Sequence, residues 1–214
     1  MSRLEELLTP EQAGMLASLT SPLEIQGFLD NTPYAAENRN RSPLNVLRDS
    51  FAHCLDGGLF GAMALRRLGF PPLIVDLLPE PGTDDDHVLA IYKINGCYGA
   101  VAKSNFSGLR LREPIFRTLR ELALSYFEDF FNLHGQKTLR AYTRPVNLAA
   151  YDQYNWEFDD RGADVIEQRL FKLKKINLLS TTAIAGLSPV DSLSYRAGML
   201  GTNPAGLYQP GKGH

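Results

Sequence analysis

Residues 54–103 read CLDGGLFGAMALRRLGFPPLIVDLLPEPGTDDDHVLAIYKINGCYGAVAK, and this stretch decides the fold. Leu55, Leu59, Ala62 or Met63, and Leu65 or Arg66 recur at helical spacing. Gly69 followed by Phe70-Pro71-Pro72 closes the helix they predict over 54–68. Gly57, Gly58, Gly61, Ala62 and Ala64 leave one side of it very small. An interior glycine costs about 1 kcal/mol against alanine, so three of them predict a close neighbour on that side. Residues 73–78 form a short apolar run suited to a buried strand, and 79–86 a turn-rich acidic loop. Segments 87–94 and 97–103 flank Asn95-Gly96, a strong hairpin signal.

Upstream, Thr9-Pro10-Glu11-Gln12 and Ser21-Pro22-Leu23-Glu24 both fit a capping box that starts a short helix. Residues 31–42 are polar and read as a surface loop, after which Ser42-Pro43 restarts a helix. Downstream, Ile115, Leu119, Leu122, Ala123, Tyr126, Phe127, Phe130 and Phe131 follow a helical period from Pro114, and this stripe reads as core. A further helix is expected within 155–179, with Val165, Ile166, Leu170, Leu173 and Ile176 as its apolar stripe. Together these predict an α+β fold: a central antiparallel sheet packed against the cysteine-bearing helix, with more helices before and after it in sequence. Residues 1–187 are expected to form one domain, and the Gly/Pro-rich 188–214 an extended or disordered tail.

The 214 residues carry 22 Lys and Arg against 24 Asp and Glu. A non-specific nucleic-acid or acidic-membrane binder would need a basic surplus, so neither partner is expected. Two cysteines exclude a disulfide scaffold. Residues 1–8 lack an apolar core, so no secretory signal is expected. No run approaches the ~18 apolar residues of a membrane helix. The expected location is cytoplasmic, with both thiols reduced.

Cys54 stands at a helix start, where unpaired N–H groups and the macrodipole favour a thiolate. His87 opens the hairpin and is suited to take the thiol proton. Asp86 is placed to tune His87. Cys97, beside the turn, reads as structural. No second Cys/His pair joins His53 and Cys54 at zinc spacing, and no metal or cofactor is expected. Arg110, Arg112, Arg117 and Arg120 form a cluster for which ion pairs with Glu113 and Glu121 are the simple account.

The pattern over 54–105 resembles the transglutaminase-like superfamily, relatives of the papain-like cysteine proteases. In that family the nucleophilic cysteine begins a helix ending in a Leu-Gly turn, and a later hairpin opens with the catalytic histidine. Cys54, His87, Asn95-Gly96 and Tyr98 (for the usual Trp) fall in that register. The family's acid, four residues after the aromatic, is replaced here by Ala102. Asn105 is the first substitute for orienting His87; Ser104, which faces His87 in an ideal hairpin, and Asp76 are others. The resemblance implies a cysteine-dependent acyl-transfer enzyme acting on a small-molecule or peptide acyl substrate, with water or an amine as acceptor. The missing acid equally admits a non-catalytic binding module on the same scaffold, its tail available for self-association.

Overall fold

The computed structural model describes residues 3–209. Helices α1 (Pro10–Ser18), α2 (Pro22–Asn31), α3 (Pro43–Asp49) and α4 (Cys54–Arg67) come first. Strands β1 (Leu73–Pro79), β2 (His87–Ile94), β3 (Cys97–Val101) and β4 (Arg112–Phe116) follow, then α5 (Leu119–Leu124), β5 (Leu139–Thr143) and β6 (Val146–Asn147). Helix α6 (Asp160–Phe171), β7 (Lys175–Asn177), α7 (Thr181–Ala185) and α8 (Ser192–Gly198) complete the chain. The sheet runs in the order β4-β3-β2-β1-β5-β7, with β6 also on β1, and every pairing is antiparallel. The fold class is therefore α+β, with the cysteine-bearing helix against the sheet.

Strand alternation divides the core into two layers. Val88, Ala90 and Tyr92 of β2 face a layer built with α2, α4 and α6. Leu89 and Ile91 face a second layer with Leu122, Tyr126 and Phe130. The small side of α4 is what lets it sit on the sheet. A Cβ on Gly58 would lie 2.6 Å from Val88 Cγ1, one on Gly61 2.9 Å from both Ala90 Cβ and Val101 Cγ2, and one on Gly57 would collide with Lys103 Cβ. The turn at Asn95 and Gly96 takes φ of 51° and 81°, which suits the twist of a two-residue hairpin.

Several expectations are corrected. The 114–131 segment is not one helix: Pro114 lies in edge strand β4, where its missing N–H removes no inner ladder bond. Thr118 then caps the six-residue α5, and Ser125 Oγ ends it by donating to the Leu122 carbonyl at 2.7 Å. Tyr126, Phe130 and Phe131 are buried, as a core stripe should be, whereas Ile115 is exposed. In 155–179 the helix ends at Phe171, and Ile176 belongs to β7 opposite Tyr142. The 31–42 loop is not merely superficial, since Arg41 is 2% exposed and pairs with Glu37, Asp49 and Asp56. The 188–209 segment is folded, carrying α8 and a 3-10 turn at Pro204–Gly206; the remainder of the expected tail lies outside the described residues.

Two of the four arginines are held by ion pairs, to acids other than Glu113 and Glu121: Arg110 to Asp30 and Arg112 to Asp129, both at 3.2 Å. Arg120 donates to the Leu178 carbonyl and the Arg117 main-chain amide to Glu121, both at 2.8 Å. The Thr9 capping box is complete. At Ser21 only half forms, because Glu24 reaches one residue further back, to the Thr20 amide at 2.7 Å.

The glycine face of α4 gives the first test. Gly58→Ala should lower the free energy of urea unfolding by about 1–3 kcal/mol through overpacking against Val88, whereas Gly27→Ala, with open space at its Cβ, should stabilise or leave it unchanged.

Candidate active site

Helix α4 begins at Cys54 because His53 and Asp56 cap it reciprocally. His53 Nδ1 accepts from the Leu55 amide at 3.2 Å, and the Asp56 carboxylate accepts from the His53 amide at 3.1 Å. Asp56 also accepts from the Arg41 amide at 2.6 Å, tying the 31–42 loop to the helix start. Cys54 Sγ then rests along the main chain at the mouth of β2, 3.8 Å from the Asp86 carbonyl and near the Val88 amide.

His87 pairs with Leu77 and, in phase with Leu89, projects to the sheet face opposite α4. Its ring meets Tyr126 edge-on at 6.3 Å. Its Nε2 lies 2.8 Å from the Leu109 carbonyl. A carbonyl only accepts, so Nε2 carries the proton and neutral His87 keeps an unprotonated Nδ1. Although Cys54 and His87 approach from different faces, both line one cavity of about 40 Å³ at the open end of β2. Among the described residues no hydrogen bond joins them.

That open end exists because β3 stops early. The β2–β3 register runs to Ala90–Val101, three residues short of His87. Gln26 of α2 captures the next residue, its amide accepting from the Ala102 N–H at 3.0 Å and donating to the Ala102 carbonyl at 2.9 Å. Lys103 follows into the gap over Gly57, its Nζ donating to the Leu29 carbonyl at 2.9 Å and to the Thr32 carbonyl at the C-terminus of α2.

None of the three substitutes for the family's acid touches the imidazole. Asn105 lines the shared cavity, but its amide is spent on Asn203 and Gly206. Ser104 Oγ accepts from the Phe106 amide. Asp76 pairs with Val88, so by alternation it faces away from the His87 ring. The group that orients His87 is the main-chain carbonyl of Leu109.

The thiol and the imidazole are both uncharged at rest. Burial pushes the Cys54 thiol well above its usual range, and the charges of Asp86, Asp85 and Asp76 push it further; the Val88 amide opposes them weakly. The helix start alone argued for a thiolate, but burial and carboxylates outweigh it. Burial lowers His87 to about 4, against the bond to Leu109 and with the help of the Arg112 charge. Burial and Asp86 hold Asp76 well above the usual carboxyl range, against the weaker pull of the His87 main-chain amide and the Lys175 charge. Tyr34, absent from the sequence reading, borders both Cys54 cavities, and burial with the neighbouring Cys54 keeps its phenol protonated. The larger of these cavities is a cleft of about 410 Å³, bordered also by His53, Asp84, Asp85, Asp86 and Phe171. Among the described residues, no group of three or more His, Cys, Asp or Glu side chains is arranged to hold a metal ion.

No family model matches this chain, and no curated protein matches it in sequence.

The neutral His87 has a signed consequence for stability. Its unfolded counterpart takes up a proton near 6.5 and the folded ring only near 4, so stability is full above 6.5 and falls as pH drops toward 4. The difference amounts to about 3 kcal/mol. Asp56, raised to about 7, and Asp84, raised to about 6, act oppositely, weakening the fold as pH rises through those values. Urea unfolding of wild type and His87→Gln from pH 7 to pH 4 should therefore show the acid-side loss attributable to His87 only in wild type.

Proposed function

We propose that this chain is a cysteine-dependent acyl-transfer enzyme with Cys54 as nucleophile and His87 as its base, extending the transglutaminase-like resemblance of residues 54–105. The observation that carries the reading is the 2.8 Å bond from His87 Nε2–H to the Leu109 carbonyl, in a ring that lines the same cavity as Cys54. It fixes the tautomer whose free Nδ1 is a base, the task the family gives to a side-chain acid.

In this reading the Cys54 proton passes to Nδ1 as sulfur attacks an amide or ester carbonyl. The Cys54 main-chain N–H at the start of α4 and the Tyr34 hydroxyl are the donors for the developing oxyanion. Collapse expels the amine or alkoxide, which takes the proton back from the imidazolium and leaves a thioester on Cys54. Water or an amine then gives up a proton to His87 and attacks that thioester, releasing the acyl group and restoring the thiol.

The raised thiol and the low histidine favour a second reading, a non-catalytic binding module on the same scaffold. Acylation by p-nitrophenyl acetate separates the two. The enzyme reading expects an acetyl mass on the Cys54 peptide well ahead of Cys97, loss of p-nitrophenol release in Cys54→Ser, and a fall of about 10²–10⁴-fold in His87→Ala. Equal labelling of both cysteines, unaffected by His87→Ala, would leave only the binding module.

A further inference from the structure

The last described segment turns back over the Cys54 cleft. Tyr195 anchors it by its ring on Phe131 and its hydroxyl on the Leu133 carbonyl, and beyond α8 it is held largely through its main chain. Gly198 of α8 lies on the Phe131 ring, with no room for a Cβ, and Ser107 donates to the carbonyls of Gly198 at 3.0 Å and Ala197 at 2.5 Å. Asn105 then grips the chain. Its Oδ1 accepts from the Asn203 amide at 2.7 Å, and its Nδ2 donates to the carbonyls of Asn203 at 2.9 Å and Gly206 at 3.1 Å.

Residues 203–206 form a tight turn: Gly206 N donates to the Asn203 carbonyl at 3.1 Å, and Asn203 Oδ1 accepts from the Ala205 amide at 3.1 Å. Asn203 Nδ2 donates in turn to the Tyr34 carbonyl at 3.0 Å. Gly206 fills a slot where a Cβ would stand 2.7 Å from Tyr34 Cδ1 and 3.4 Å from Asn105 Nδ2. Gly206 and Tyr208 border both cavities that meet at Cys54.

We propose that the Tyr34–Asn105 wall is a binding site for an Asn-x-x-Gly turn of polypeptide, and that residues 203–208 fill it in cis as a strap across Cys54. An amide side chain that contacts three main-chain groups recognises the path of a polypeptide rather than its side chains. The slot adds glycine as one residue-specific demand, and the Asn203 contact to Tyr34 is the second. This deepens the reading of Cys54 as the reactive centre and rests on it, since it assigns that centre its regulation and the class of ligand that displaces the strap. Asn105, first considered as the residue orienting His87, acts instead on access to the cleft.

Alkylation of the full-length chain by iodoacetamide, read by mass at each cysteine, tests the strap without requiring catalysis. Gly206→Val should raise the Cys54 rate at least tenfold and leave Cys97, at the hairpin turn, unchanged. A synthetic TNPAGLYQ peptide should slow the variant's Cys54 again, and the same peptide with valine for glycine should not. Should Cys97 accelerate too, showing a loosened fold, Asn203→Ala removes the turn's cap without adding bulk and carries the same expectation. A Cys54 rate unchanged in both variants, or equal protection by both peptides, would overturn the proposal. A strap that opens Cys54 in a chain that cleaves no ester would stand while the acyl-transfer reading fell, and ester cleavage with unchanged alkylation would do the reverse.

Discussion

The amide of Gln26, buried between α2 and the sheet, takes both main-chain groups of Ala102, and the site is a consequence of that capture. Each buried main-chain group left without a partner costs about 1–3 kcal/mol, so once Gln26 has bound Ala102 the ladder between β2 and β3 has a firm end. The chain then leaves the sheet, places Lys103 over Gly57, carries Asn105 toward the C-terminal segment, and returns so that the Leu109 carbonyl meets His87. The first residue of β2 is thereby left without a neighbour on the β3 side, and Cys54 Sγ reaches the main chain on either side of it, at the Asp86 carbonyl and the Val88 amide. Continued pairing would have covered that edge.

The charge state of Cys54 is set by competition between a helix and a desolvated acidic surround. A helix N-terminus contributes the equivalent of about half a positive charge, and its effect fades within a turn. At α4 part of it is already answered by the Asp56 carboxylate. Burial and the charges of Asp86, Asp85 and Asp76 act the other way and prevail. A neutral thiol beside a cavity that a neutral imidazole also lines is slow to react without substrate, which fits a site bordered by the chain's own Gly206 and Tyr208. Proton transfer would then accompany attack rather than precede it.

What the sequence made legible follows from how local each signal is. Helix α4, strand β2 and the Asn95-Gly96 turn come from periodicity and turn chemistry confined to a few residues, and the glycines of α4 announced the approach of β2 and β3. The 114–131 segment misled because Leu122, Tyr126 and Phe130 reach one core from a short helix and the turns after it, so the apolar period outlasts the helix. Pro114 and Ser125 mark the breaks, and Ile115 on edge strand β4 is exposed. The orienting group for His87 was invisible in principle, since a main-chain carbonyl has no residue identity. The departure of β3 hinges on Gln26, 76 positions from Ala102, which no local pattern connects. The Gly/Pro content of the tail suggested an unstructured chain, whereas Gly198 and Gly206 are glycines because they touch Phe131 and Tyr34.

The base assigned to Cys54 depends on Leu109 fixing the His87 tautomer, and the ring nitrogens of His87 report it directly. Two-bond ¹⁵N–¹H correlation of ¹⁵N-histidine-labelled chain at pH 7 should show a single neutral form, with a protonated, slowly exchanging Nε2 and a bare Nδ1. An Nδ1–H form, or the averaged signals of a freely exchanging imidazole, would mean that the Leu109 carbonyl does not hold the ring, and the base assigned to Cys54 would be lost.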